Sequence, residues 1–125
     1  MQWTRENRKE TETMGYQIIE CKPVGPGYDL KLKVSVDGEI RYLYYDEIPD
    51  RCYILGWHIY EIDAQTYEAG QQEPYIRYIG SFPGENYTRA HDAVYRALKD
   101  GLTIQSNWDK AYGEITLIDP TQKTH

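Results

Sequence analysis

The sequence predicts an α+β fold: an antiparallel sheet of about five strands, with one main amphipathic helix over residues 87–100 packed on one face. Three observations predict it. Leu30, Leu32, Val34 and Val36 alternate with Asp29, Lys31, Lys33 and Ser35, the period of a strand with one dry face and one wet face. Asp37-Gly38 follows at once, a dipeptide that accepts the positive φ angles of a tight hairpin turn. Between Phe82 and Leu102, at helical pitch, Ala90, Ala93, Val94, Ala97 and Leu98 share one side while Arg89, Asp92, Arg96 and Lys99 share the other.

In chain order, residues 1–13 are polar and mix Arg5, Arg8 and Lys9 with Glu6, Glu10 and Glu12, so they read as a disordered or non-native N-terminal extension. Arg8-Lys9-Glu10 can be encoded by a purine-rich run of the kind that recruits a ribosome. Met14 follows at a workable spacing and is the expected native start. Residues 14–120 then form a single α+β domain, since 125 residues suffice for one core and not two, and residues 121–125 are a flexible tail.

Gly15 to Cys21 reads as a first strand, and the Pro- and Gly-rich CKPVGPG as turn chemistry. The 29–45 hairpin follows. Its return strand is partly apolar on both sides, with Ile40, Tyr42 and Tyr44 on one and Leu43 and Tyr45 on the other. That predicts a cover on each face, the helix on one and something else, for instance another copy of the protein, on the second. Pro49 marks a break. Cys52 to Ile62 is a further strand, in which Gly56 predicts a bulge or a close backbone approach. Asp63 to Glu73 is a polar connection, Tyr75 to Ser81 a strand, Thr103 to Asn107 a linker or short strand, and Glu114 to Ile118 the last ordered piece. Asn86 or Thr88 is the expected N-cap of the helix and Gly101 its left-handed C-cap.

A net charge of −6 weighs against direct binding to nucleic acid or to anionic membranes, because the counterion-release gain needs a basic patch. Cys21 and Cys52 lie far apart without metal-ligand spacing and read as buried thiols of a cytoplasmic protein. Thirteen tyrosines against one phenylalanine supply more amphipathic ring than one helix can cover, which predicts self-association through the tyrosine-rich strands.

No catalytic residue, cofactor or metal is expected. His58 and His91 lack an identifiable partner, and Ser35, Ser81 and Ser106 lie in no nucleophile motif. The pairs Asp46 with Glu47 and Glu61 with Asp63 are too few for a metal. The strongest local chemistry is the approach to the helix. Phe82, Gly84, Asn86, Tyr87, Thr88 and Arg89 offer backbone amides, hydrogen-bonding side chains, rings to stack and a cation, with Arg77 and Arg96 as helpers. The alternative is that Asn86 or Thr88 only caps the helix and Phe82 only packs.

The expected function is therefore a non-enzymatic binding protein for a small anionic, nucleotide-like ligand. A phage or other mobile-element accessory protein that sequesters a signalling nucleotide would fit. The alternatives are an acidic inhibitor that occupies a basic surface of a partner protein, and an enzyme with an unrecognised site.

Overall fold

The computed structural model describes residues 15–50, 52–87, 89–108 and 114–121. The predicted extension, the Met14 start, Thr88, His125 and most of the predicted tail lie outside the described residues. The elements run β1 (Tyr16–Val24), β2 (Asp29–Val36), β3 (Glu39–Asp50), β4 (Tyr53–Ile62), α1 (Ala64–Glu68) and β5 (Tyr75–Pro83). A 3-10 turn (Gly84–Asn86), α2 (Ala90–Asp100), β6 (Thr103–Asn107) and β7 (Glu114–Ile118) complete them.

The expected five-stranded antiparallel α+β fold is corrected in three respects. One sheet holds seven strands in sequential order β1 to β7, it is mixed because β6 runs parallel to β5, and the chain is mostly strand with one substantial helix. The two extra strands are the Thr103 and Glu114 segments, each only five residues long and too short for periodicity to separate them from a linker. The single parallel bridge, Gly80 with Ile104, is made after α2 has carried the chain across the sheet.

The hairpin forms as its pattern dictates. Leu32 pairs with Leu43 and Lys33 with Tyr42, and the turn places both Asp37 (φ 52°) and Gly38 (φ 90°) at positive φ. β1 outruns its expected end through Pro23, which is tolerated because β1 is an edge strand and needs no outward amide there. β3 likewise continues through Pro49, accommodated by a shift of register between Ile48 and Pro49. Gly56 shows both expected features. It pairs at that irregularity, and a side chain on it would stand 2.5 Å from Trp108 and against the Phe82 carbonyl.

α2 is the axis of the core. Ala90, Val94 and Ala97 are fully buried against Leu32, Val34, Leu43, Tyr45, Ile59, Ile79 and Phe82. Burying each large apolar side chain contributes roughly 2 kcal/mol. The helix touches β1 and β2 as well as β5, β6 and β7. Seven flat strands would span roughly 29 Å, while a helix is only about 10 Å wide, so contact with both edge strands means that the sheet curls around it. Gly101 closes the helix at φ 71°, with Leu102 N–H donating to the Ala97 carbonyl.

The helix starts at Ala90, not at residue 87. Arg89 holds the N-cap position without a side-chain cap, and Asn86 ends the separate 3-10 turn. The second cover of β3 is also the chain's own. α1, capped by Asp63 through the Thr66 amide (2.8 Å), lays Tyr67 over Tyr42, Tyr44 and Ile62, so no second copy is needed at those residues. Both cysteines are exposed, contrary to the expected buried thiols.

Candidate functional site

Where α2 passes the edge strand β7, its outward side and the strand enclose an open groove of about 460 Å³. Arg89, Asp92, Ala93 and Arg96 form the helical wall, and Ile115, Thr116 and Leu117 the strand wall. The helical set is spaced i, i+3, i+4, i+7, which puts all four on one stripe. The two guanidiniums are rooted two turns apart, roughly 10 Å along the axis. Among the described residues, neither forms an ion pair. Ala93 lets the wall stay low between them.

The residues singled out from the sequence separate into four places. Arg89 and Arg96 share the groove. Gly84 lies in a different depression of about 360 Å³, beside Tyr53, Ile54, Leu55, Trp57 and Glu85. Phe82 and Asn86 are interior, at 0% and 1% exposure, and Tyr87 is half-buried among rings, 5.3 Å from Trp57 and 5.2 Å from His91 between centroids. Arg77 stands at the far end of α2, donating from Nη2 to Ala97 O and from Nη1 to Leu102 O, both at 2.8 Å. There it neutralises the negative end of the helix dipole and satisfies terminal carbonyls.

Other polar residues have structural work. Glu61, buried at 6% exposure, accepts from Arg41, and Asp63 caps α1, so the two do not form a pair. The Thr66 amide and hydroxyl hold the Asp63 carboxyl below the usual carboxylate range. Tyr45, wholly enclosed, has its phenol pKa driven well above normal by burial and by the neighbouring Tyr16. No group of three or more His, Cys, Asp or Glu side chains among the described residues is placed to hold a metal ion. No helix among them is long and apolar enough to cross a membrane.

Two features escape sequence reasoning. The β7 wall is one, because Thr116 carries no signal until the fold brings it beside α2. The other is a polar and aromatic cluster on the sheet face away from α2, in which His58 Nδ1 and the Tyr78 hydroxyl are 2.9 Å apart. The alternation of β4 hints at it by placing His58 and Tyr60 on one face. No protein-family model matches the chain, and no curated protein or solved structure matches it either.

Proposed function

We propose that the protein is a non-enzymatic binding protein that captures a small anionic, nucleotide-like ligand in the groove between α2 and β7. The observation that carries this reading is the pair of guanidiniums, Arg89 and Arg96, without an ion pair among the described residues, on one wall of a groove of ligand size. Arginine suits phosphate because its planar fork donates two parallel hydrogen bonds. Two such forks, rooted two turns apart on one helical stripe, can each take one anionic group of a ligand that carries two. Asp92 between them disfavours a third anionic group and suits a ribose hydroxyl or a base N–H. Ile115 and Leu117 offer apolar surface to a ring.

A thermal-shift screen against mono-, di- and cyclic dinucleotides tests the proposal. A ligand present at a hundredfold excess over its Kd stabilises the fold by about 2.7 kcal/mol, a readable rise in Tm. The rise should vanish in the Arg89→Ala/Arg96→Ala double variant, whose own Tm should match the parent because both side chains are exposed. A panel without any shift, or a shift that survives both substitutions, ends the idea.

A further inference from the structure

The sheet face opposite α2 is ordered in rows by strand register. One row reads Lys33, Tyr42, Ile62, Tyr75, the next Lys31, Tyr44, Tyr60, Tyr78, and the third Asp46, His58, Ser81. α1 covers the β2 and β3 side of the first two rows. There Tyr67 packs on Tyr42, its hydroxyl donates to Glu20 at 2.6 Å, and Lys31 donates to the Tyr67 carbonyl at 2.9 Å. The β4 and β5 side stays open. Tyr75 and Tyr78 are 45% and 40% exposed, and their ring centroids lie 4.8 Å and 5.1 Å from that of Tyr60, making a continuous aromatic ledge.

Two carboxylates border this ledge, and they differ. Asp29 is internally satisfied, accepting from the Tyr44 hydroxyl at 2.6 Å and the Glu47 amide at 2.9 Å. Asp46 has no lysine or arginine ion pair among the described residues. Its carboxyl pKa is raised by partial burial and by repulsion from Asp29, against a smaller opposing pull from His58, so its negative charge is poorly compensated. A cation arriving there would be attracted by the carboxylate and by the ring faces together.

We propose that Asp46, His58, Tyr60, Tyr75 and Tyr78 form a docking surface for an arginine-bearing segment of a basic protein. A guanidinium lies flat on tyrosine faces while its edge donates to a carboxylate, and lysine matches that geometry less well. The chain's −6 charge steers such a partner inward, and it opposes the other aromatic-seeking polyion, nucleic acid. The lysines of this face stand on β1 and β2 at the other side of α1, where Lys22 is 3.7 Å from Glu20 and Lys31 is engaged with Tyr67. This surface is independent of the α2–β7 groove.

The test is fluorescence anisotropy of a labelled arginine-glycine repeat peptide with the full chain, at about 0.15 M salt to screen diffuse attraction. Asp46→Asn and Tyr78→Ala should each weaken binding by roughly 3- to 30-fold. Tyr78→Phe, which keeps the ring, should hold it, as should Asp100→Asn, which removes a distant exposed carboxylate. A lysine-glycine peptide should bind several-fold more weakly. Equal losses with Asp46→Asn and Asp100→Asn would show charge alone at work and overturn the proposal, as would no binding. So would a dimer in sedimentation that Tyr78→Ala dissociates, because a second copy would then occupy the ledge. Arg89→Ala/Arg96→Ala should leave peptide binding unchanged.

Discussion

Arg41 and Glu61 meet in a two-pronged ion pair, Nε to Oε2 at 2.6 Å and Nη2 to Oε1 at 3.0 Å, on the face of the sheet that carries α2. Glu61 pairs across the next strand with Arg77, whose guanidinium closes the C-terminal end of α2. Three strands thus hand a line of alternating charge to the helix terminus. Removing the middle member leaves the half-buried Arg77 without its nearby counter-charge and Arg41 with only the exposed Glu39 at 3.7 Å, and Glu61→Ala should cost roughly 3 kcal/mol. Urea denaturation measures it. Glu61→Gln should cost less, because it retains an acceptor for Arg41.

Phe82 offers a contrasting case. Its ring is fully enclosed, edge-on to Tyr45 at 5.9 Å and tilted against Trp57 at 6.2 Å. Phe82→Ala should therefore destabilise the fold by roughly 4 kcal/mol through lost burial and a cavity. Its effect on nucleotide binding should not exceed that expected from the loss of folded protein, which calorimetry on the folded fraction can separate.

Gly80, like Gly56, is a position where no side chain fits. It sits at φ 145°, and a Cβ there would lie 2.8 Å from the backbone nitrogen and Cβ of Ile104, and nearer its carbonyl. Gly80→Ala should cost about 2 kcal/mol or more, by strain and by forcing β6 away from β5. The control Gly15→Ala, at a site with nothing within 4 Å, should be nearly neutral.

His91 gives the protein a pH dependence of predictable sign. Its ring is wedged edge-on against Tyr16 and Tyr87, at 5.9 Å and 5.2 Å, and burial lowers its pKa from the ordinary 6.5. The folded state thus prefers the neutral ring. The contribution is complete above pH 6.5 and is lost as pH falls through the depressed folded value, since the unfolded chain takes up the proton first. Melting temperatures recorded downward from about pH 8 should show this step in the parent and lose it in His91→Gln.

How much of this was legible depended on how many residues voted for each feature. The β2–β3 hairpin was written in four alternating aliphatic residues and a turn dipeptide, and α2 in five apolar positions closed by Gly101. α1 has only five residues, and its signal is the single capping Asp63 in front of a polar stretch, so periodicity had nothing to act on. β6 and β7 suffer the same brevity, and the parallel pairing rests on one bridge. The candidate groove was half legible: Arg89 and Arg96 lie on one helical stripe in any helix, but the wall facing them comes from β7, distant in sequence. Arg77 was assigned to the wrong end of the helix for a related reason, because nothing local tells a strand residue which helix terminus it will meet.

The thin join between β5 and β6 carries a kinetic consequence. Strands β1 to β5 form a run of neighbours whose pairings are local in the chain, a topology that closes short loops and assembles quickly. The β6–β7 ribbon is tied to that run by one bridge, the Ser106 hydroxyl on the Ser81 carbonyl, and contacts with α2. It is the natural first piece to peel away in native-state exchange, and the proposed nucleotide groove would breathe with it.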